Sequence, residues 1–254
     1  MRIARVATKA HDSVFAELGK NALRFFTKSP WEGGTSSGET GTMDDARFLA
    51  PVVPSKILCV GRNYAAHAKE LGNEVPKEPL LFLKPPSALI GPDEKIVLPK
   101  ESTRVEHEAE LGVVIAKKCK NVSRDRAADV IFGYTCVGDI TARDLQRSDA
   151  QWSRAKGFDT FCPVGPWIET DLDPTNVRVQ CRVNGIMKQD GSTSNMIFPV
   201  TEIVAYASRM MTLEAGDLLV TGTPEGTGPL VDGDALEIEI EKIGVLTCSV
   251  VRSS

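Results

Sequence analysis

Short apolar segments bounded by polar or turn-forming residues recur along most of this chain. Residues 2–6 and 13–18 alternate apolar and polar positions, the pattern of a half-buried strand. Further strands are predicted at Ile57–Val60, Leu80–Leu83, Leu111–Ile115, Val177–Val183, Leu218–Val220, Ala235–Ile240 and Leu246–Val251. Helical spacing is limited to Tyr64–Leu71, Arg124–Ile131, Ala142–Ser148 and Thr201–Ser208. Many strands with few helices between them predict a strand-rich α+β fold and not a doubly wound sheet.

A change in composition near residue 50 predicts two parts. Residues 29–38 are rich in glycine and serine, which is typical of a loop. The sequence Pro51-Val52-Val53-Pro54 follows, and its two prolines restrict the backbone to extended conformations. We therefore predict a small N-terminal domain over residues 1–53 and a larger catalytic domain over residues 54–254.

Composition and charge exclude several classes of protein. Of the 254 residues, 42% are apolar and 25% are charged, as in ordinary globular proteins, and the net charge is −4. Because lysine and arginine form no run, nucleic acid and membrane surfaces are not expected partners. No apolar stretch approaches the ~20 residues of a membrane span, and the N-terminus lacks the apolar stretch of a signal peptide. The six cysteines form no C-x-x-C pair, so we expect reduced thiols in a cytoplasmic protein.

Two glutamates, Glu108 and Glu110, directly precede the apolar run Leu111–Ile115. Residues two apart in a strand share a face, so these carboxylates are expected to converge. A second apolar run, Tyr134–Gly138, ends at Asp139. Two carboxylates roughly 4 Å apart repel by about 4 kcal/mol at a dielectric near 20, and a divalent cation removes that repulsion. An all-oxygen site suits magnesium, manganese or calcium better than zinc. From spacing alone, a solvated E-x-E edge with Asp139 at a turn remains an alternative.

Six motifs in a fixed order carry a family resemblance. They are Cys59–His67 (CVGRNYAAH), Leu81–Pro85 (LFLKP), His107–Gly112 (HEAELG), Gly138–Gln146 (GDITARDLQ), Lys156–Asp159 (KGFD) and Thr221–Gly226 (TGTPEG). The set resembles the fumarylacetoacetate hydrolase family, in particular its acylpyruvate hydrolase, oxaloacetate decarboxylase and 2-hydroxyhepta-2,4-diene-1,7-dioate isomerase branch. The resemblance covers roughly residues 55–252. It implies a mixed β-sandwich roll, with the site at one open end and a small β domain before it.

By this resemblance, Glu108, Glu110 and Asp139 are the metal ligands. The metal is expected to be Mg²⁺ or Mn²⁺, with Ca²⁺ the less favoured choice. Larger members of the family add an aspartate upstream of the motif histidine. No aspartate stands there in this chain, so water is expected to take that position. His107 has the opposite strand parity and is interpreted as a packing residue.

His67 and Glu70 are the candidate catalytic pair. Asn63 is a suitable N-cap and Gly72 a suitable stop for a helix over Tyr64–Leu71. On that helix His67 and Glu70 are three residues apart, and a carboxylate beside an imidazole favours deprotonation of water. Without the resemblance, an ordinary exposed His–Glu pair on a short helix is the favoured explanation of the pattern. The helix is short and has few bulky anchors, which is typical of a lid that orders on substrate binding.

The resemblance also assigns residues to the substrate. Arg143 and Gln146 are three apart on a predicted helix, and the family uses these positions to contact substrate. Lys156 is expected to stabilise negative charge that develops on a substrate oxygen. Thr223 resembles a contact to the substrate carboxylate, and Lys84 is expected to line the pocket. From pattern alone, a solvated helix face and a plain hairpin turn explain the first pair and the loop around Thr223.

The predicted function is metal-dependent hydrolysis of a C–C bond in an acylpyruvate-type 2-oxo acid through a metal-bound enolate. Oxaloacetate decarboxylation and isomerisation of a hydroxymuconate-type dienol share that intermediate, so both remain alternatives. A catalytically silent protein with a structural metal is a further alternative, which does not account for His67, Glu70 and Lys156. Chains of this family generally pair, so a homodimer is expected.

Overall fold

Strands dominate residues 1–253, which the computed structural model describes. The strands are β1 (Arg2–Ala7), β2 (Val14–Leu18), β3 (Leu23–Phe26), β4 (Ser36–Gly41), β5 (Arg47–Leu49), β6 (Ile57–Gly61), β7 (Leu80–Lys84), β8 (Leu89–Ile90), β9 (Lys95–Leu98), β10 (Val105–His107), β11 (Ala109–Ile115), β12 (Ile131–Gly138), β13 (Thr141–Ala142), β14 (Cys162–Glu169), β15 (Arg178–Val183), β16 (Ile186–Ser192), β17 (Leu218–Val220), β18 (Gly228–Pro229), β19 (Ala235–Ile240) and β20 (Gly244–Arg252). The α-helices are α1 (Ala65–Glu70), α2 (Arg143–Ser148), α3 (Ser153–Lys156) and α4 (Val200–Met210). Short 3-10 helices cover Pro30–Glu32, Pro86–Ala88, Arg124–Val130 and Thr193–Asn195. The predicted strand-rich α+β class is confirmed.

The strands form three sheets. The largest has the order β4-β3-β2-β1-β14-β12-β11-β17-β6-β7, with β5 paired to β1 and β8 paired to β14. A second sheet has the order β16-β15-β19-β20-β9, and a small one the order β13-β10-β18. Both larger sheets mix parallel and antiparallel pairs, since β17 runs parallel to β6 and β20 parallel to β9. This is a mixed β-sandwich.

The N-terminal strands extend the large sheet. Strand β1 pairs antiparallel with β14, with Ile3 opposite Ile168, and β2 to β4 follow outward as a meander. These strands bury a small apolar cluster of their own around Val6 and Leu23. The domain boundary after residue 53 stays a prediction.

The main core lies between the two larger sheets. All seven residues of β11 are buried, because this central strand has a neighbour on each side and packed layers on both faces. Val113 of β11 packs in one cluster with Ile238 of β19 and Leu246 of β20. Burial of each such aliphatic side chain contributes about 1.5–3 kcal/mol. The core therefore fixes the start of β11, where the acidic residues lie.

Most predicted elements are present, two predictions need correction, and several strands were not predicted. The segment 29–38 is not only a loop, because it contains a 3-10 helix and the start of β4. Residues Arg124–Val130 form a 3-10 helix rather than an α-helix. Strand β14 was not predicted, because its sequence contains two prolines and a glycine. Among residues 1–253, no helix is both long and apolar enough to span a bilayer.

Candidate active site

Three buried carboxylates meet where β11 begins and β12 ends. Glu110 belongs to β11, and Asp139 directly follows β12, its antiparallel neighbour. Glu108 lies in the one-residue link between β10 and β11 rather than in the strand itself, and its carbonyl accepts a 2.9 Å bond from the Asp139 amide. One oxygen from each of Glu108, Glu110 and Asp139 lies within 4.8 Å of the others. The structure thus brings the three predicted metal ligands together.

Cationic side chains surround two of these carboxylates. Lys156 Nζ donates to Glu108 at 2.8 Å and to Asp139 at 2.6 Å, and both bonds are buried. Burial raises the pKa of Glu108, but Lys156 and Arg143 lower it by more, so the net shift is downward. Burial lowers the pKa of Lys156, but Asp139 and Glu108 raise it by more. Glu108 and Lys156 therefore stay charged.

Glu110 has a different environment. No lysine, arginine or histidine within residues 1–253 forms an ion pair with it, and its carboxylate accepts a bond from the Gly222 amide. Burial and the neighbouring carboxylates of Asp139 and Glu108 raise its pKa well above the ordinary value. A cation beside Glu110 would remove this repulsion, and three carboxylates form the oxygen donor set that Mg²⁺ or Mn²⁺ takes. The residues present therefore fit a divalent metal.

Arg143 is fully buried and makes three side-chain bonds. Nη2 donates to Glu108 at 2.6 Å, Nη1 donates to Gln146 at 2.6 Å, and Nε donates to Glu106 at 2.7 Å. The structure therefore places Arg143 and Gln146 on one helix face beside the carboxylates, as predicted. The sequence analysis missed Glu106. The spacing of Glu106, Glu108 and Glu110 was the available signal, since all three alternate along one segment.

His67 is buried and its Nδ1 lies 3.1 Å from Glu70 Oε2. Glu70 also accepts a 3.1 Å bond from the Gly226 amide, which ties α1 to the loop after β17. The prediction that Asn63 caps this helix is wrong. Its side chain instead bonds to Phe198 and to the Thr221 carbonyl, so it fixes the turn before the helix.

Of the two predicted substrate contacts Lys84 and Thr223, only Thr223 lines the cavity. Lys84 donates to Asp139 at 2.6 Å and to the Ile140 carbonyl, and it does not line the cavity. The predicted direct substrate contact is therefore replaced by a role behind Asp139, because β7 places the lysine on the far side of that carboxylate. Thr223 does line the cavity, and its hydroxyl donates to the Ala109 carbonyl at 2.8 Å.

Gln189 is a buried polar residue that the sequence analysis missed. It belongs to β16 of the second sheet and reaches across to the catalytic end of the first. Its Oε1 accepts from the Ala109 amide at 3.0 Å, and its Nε2 donates to Thr223 Oγ1 at 2.7 Å. His107 Nδ1 lies 3.2 Å from the same Oε1, which agrees with the packing role predicted for His107. No local motif marks a glutamine of this kind.

One cavity of about 290 Å³ connects these groups. Its walls are Val60, Gly61, Arg62, His67, Leu71, Asn73, Phe82, Glu108, Glu110, Asp139, Arg143, Gln146, Arg147, Trp152, Lys156, Gly222 and Thr223. The volume suits a small organic acid. The cavity combines a carboxylate cluster, a histidine and several cationic groups.

Comparison with known families agrees with this arrangement. Residues 56–251 match the family described as Fumarylacetoacetate (FAA) hydrolase C-terminal. The chain belongs to the fumarylacetoacetate hydrolase family. Residues 1–51 separately match a family described as Rv2993c-like, N-terminal. Members of the fumarylacetoacetate hydrolase family are enzymes, so the predicted enzymatic class is confirmed.

Three relatives show the range of the family. A 5-carboxymethyl-2-hydroxymuconate delta-isomerase from Mycobacterium smegmatis is 44% identical with a TM-score of 0.94, and both chains are fully covered. The oxaloacetate tautomerase fahd2 of Xenopus laevis is 40% identical over 93% of this chain and 77% of its own. A maleylpyruvate hydrolase from Sphingobium sp. SYK-6, solved with manganese(II) and pyruvate, is 31% identical with a TM-score of 0.81 and full coverage of both chains.

Proposed function

We propose that this chain hydrolyses the C–C bond of an acylpyruvate-type 2-oxo acid with the help of a divalent metal. The observation that carries the proposal is the His67–Glu70 pair beside the carboxylate cluster in one cavity. A site that used metal only for stability would not require a buried imidazole held by a carboxylate. His67 lines the cavity and Glu70 stands behind it.

Glu108, Glu110 and Asp139 would hold the metal, and Mg²⁺ or Mn²⁺ suits them best. When bound, such an ion supplies Lewis-acid stabilisation of negative charge on substrate oxygens. The manganese in the maleylpyruvate hydrolase supports this choice of ion.

His67 is the proposed general base. When the Nδ1–H group donates a hydrogen bond to Glu70, Nε2 carries no proton and can accept one from water. The water oxygen then bonds to the distal carbonyl carbon of the acylpyruvate. The bond between that carbon and C3 of the pyruvate part breaks, and the electron pair remains on the pyruvate enolate. His67 then returns the proton that it took from water to C3 of the enolate, which gives pyruvate beside the released carboxylic acid.

Three further side chains assist this step. Lys156 and Arg143 line the cavity and keep positive charge next to the oxygens on which negative charge develops. Thr223 is the proposed contact to the substrate carboxylate; its hydroxyl would turn its donor from the Ala109 carbonyl to that carboxylate, while Gln189 continues to donate to the hydroxyl oxygen. Lys156 and Arg143 are held by the carboxylate cluster before substrate arrives, so these two cations need little reorganisation during the reaction.

The test is a panel of acylpyruvates of different chain length, assayed with Mg²⁺ and with Mn²⁺. We expect His67→Ala to lower hydrolysis by about 10²–10⁴-fold, the range for loss of a general base. His11→Ala is the matched control, because His11 pairs with Glu39 on the N-terminal strands and does not line the cavity. A wild-type enzyme that cleaves no acylpyruvate would contradict the proposal.

A second candidate is proton transfer without cleavage. The isomerase from M. smegmatis and the tautomerase from X. laevis support this alternative by their similarity to the chain. The same cavity would then move a proton between carbons of a dienol or between the enol and keto forms of oxaloacetate. Faster ketonisation of a dienol diacid than cleavage of any acylpyruvate would favour it.

A further inference from the structure

Two arginines line the solvent-facing end of the cavity. Arg62 is half-buried and Arg147 exposed, whereas the carboxylates at the other end are fully buried. Within residues 1–253, neither guanidinium forms an ion pair or a side-chain hydrogen bond. Arg143, which lines the same cavity, makes three such bonds. The donors of Arg62 and Arg147 are therefore available to a ligand.

The position of Arg62 is built into the fold. Its φ of 58° lies in the left-handed region, which is costly for a residue with a side chain. The buried side chain of Asn63 holds the next residue through bonds to the Phe198 amide and the Thr221 carbonyl. This anchored turn places the guanidinium over the ring of Trp152, 5.8 Å from its centroid.

The aromatic ring below Arg62 is held in turn. A Cβ at Gly61 would lie 2.8 Å from a carbon of Trp152, so the glycine gives the ring its space. Trp152 also packs edge to face on Phe82, with ring centroids 5.3 Å apart. Both rings line the cavity, and the Lys156 ammonium that bonds to the carboxylates lies 5.1 Å from the Phe82 ring centroid, so the two rings connect the carboxylate cluster with Arg62. They form an apolar wall along which a short carbon chain can lie.

Charge in the cavity favours more than one anionic group on the ligand. Three carboxylates line it, against the four cationic side chains of Arg62, Arg143, Arg147 and Lys156. A divalent ion at the carboxylates adds two further positive charges. A 2-oxo acid with one carboxylate offsets only part of this excess, and a second carboxylate offsets more.

We propose that Arg62 and Arg147 bind a second carboxylate of the substrate, at the end remote from its 2-oxo group. The substrate class is then a dianionic 2-oxo acid rather than one with an aliphatic end. Arginine suits this role because its planar fork bonds both oxygens of a carboxylate. The inference rests on the proposed function for the 2-oxo end of the ligand.

Binding of uncleavable ligands tests the subsite without any turnover. 2-Oxoadipate and 2-oxohexanoate have the same chain length, and a methyl group in the second replaces the remote carboxylate of the first. The pair 2-oxoglutarate and 2-oxopentanoate repeats the comparison one carbon shorter. Calorimetry with Mn²⁺-loaded protein gives a Kd for each ligand. We expect at least one dianion to bind about tenfold or more tightly than its methyl counterpart.

Variants identify the residues responsible. Arg62→Met keeps an unbranched side chain and removes the guanidinium, and Arg147→Gln removes the charge of the second arginine while keeping a polar end. Each is expected to weaken the dianion by about tenfold to a hundredfold and to leave the methyl counterpart within about twofold. Arg62→Lys should recover part of the loss. Arg154→Gln is the matched control, because Arg154 bonds to Asp149 outside the cavity.

The outcomes separate this proposal from the proposed function. Equal affinity for both members of each pair would overturn the arginine subsite, whether or not acylpyruvates are cleaved. Equal losses for dianion and methyl ligand in Arg62→Met would also overturn it, because a distorted cavity affects both. A dianion preference without acylpyruvate cleavage would uphold the subsite and reject hydrolysis. Failure of every 2-oxo acid to bind would reject both.

Discussion

Arg143 and Glu108 form a buried ion pair in which Nη2 lies 2.6 Å from Oε1. The second oxygen of Glu108 accepts from Lys156, so both oxygens are oriented by a cationic donor. Within residues 1–253, Glu110 has no such cationic partner, and its carboxylate accepts a bond from the Gly222 amide instead. The two glutamates of one E-x-E motif thus meet opposite electrostatic conditions, and substitutions at them should have opposite effects on stability.

Glu110→Gln replaces the carboxyl group, whose pKa is raised, with a neutral amide of the same shape. We expect the metal-free variant to be as stable as wild type or more so, because a repelled buried carboxylate is lost. Metal binding should fall below detection, since one of three proposed ligands is neutral. Calorimetry with Mn²⁺ and thermal unfolding check the two effects. Glu101→Gln is the control at an exposed carboxylate, and wild-type Mn²⁺ affinity in Glu110→Gln would contradict the assignment.

Lys156→Met leaves Glu108 and Asp139 without the cation that they share. Removal of one partner from a buried ion pair costs about 3–5 kcal/mol, so a large drop in the free energy of unfolding is expected. Urea denaturation measures it. Lys118→Met is the control, because Lys118 forms an exposed pair with Glu214. A loss no greater than that of Lys118→Met would show that Lys156 is not needed to balance the carboxylates.

Gln189→Ala removes the link between the two sheets at the site. The Ala109 amide loses its acceptor and the Thr223 hydroxyl loses a donor, so a stability loss of about 1–3 kcal/mol is expected. Because Thr223 is the proposed carboxylate contact, KM should rise more than kcat falls. Gln180→Ala on the neighbouring strand β15 is the control, since Gln180 bonds to Asp190 and Met187 instead. Unchanged KM would argue that Gln189 only packs.

Asp144 gives a pH dependence of stability. Burial raises its pKa, but bonds from Ser102 and Thr103 lower it from 3.8 to about 2. Because the folded form binds the proton less tightly, its contribution is complete above 3.8 and is lost as the pH falls through about 2. The stability difference between wild type and Asp144→Asn should therefore shrink from pH 5 to pH 2. Asp12→Asn, at an exposed carboxylate, should show no such change.

Assembly is predicted from the family and from one sheet edge. Strand β7 ends the large sheet, and its Leu80 and Leu83 are 37% and 48% exposed. We expect a homodimer that covers apolar surface of this kind. Sedimentation at micromolar concentration should give twice the chain mass of 27.5 kDa. A species of 27.5 kDa would contradict the prediction.

Local pattern predicted nine of the twenty strands within residues 1–253 and, together with the family resemblance, the carboxylate cluster, because both depend on neighbouring residues. Glu108 and Glu110 are two apart, and Asp139 ends the adjacent strand, so short-range geometry suffices. Lys84 and Gln189 were beyond that reach. Which face of Asp139 the lysine meets depends on how β7 pairs with β6. Gln189 comes from the opposite sheet, 80 residues from the Ala109 amide that it contacts, and no spacing rule connects them.

The reach of Gln189 across the sandwich makes the hairpin of β15 and β16 part of the catalytic architecture. Asn184 and Gly185 form its turn with φ of 53° and 75°, and this turn sets the register of β16. A slip of one residue would turn Gln189 to the opposite face of its strand and leave Thr223 without its donor. Hairpin insertions that shift β16 by one residue should therefore lower both stability and activity, even though the turn does not line the cavity.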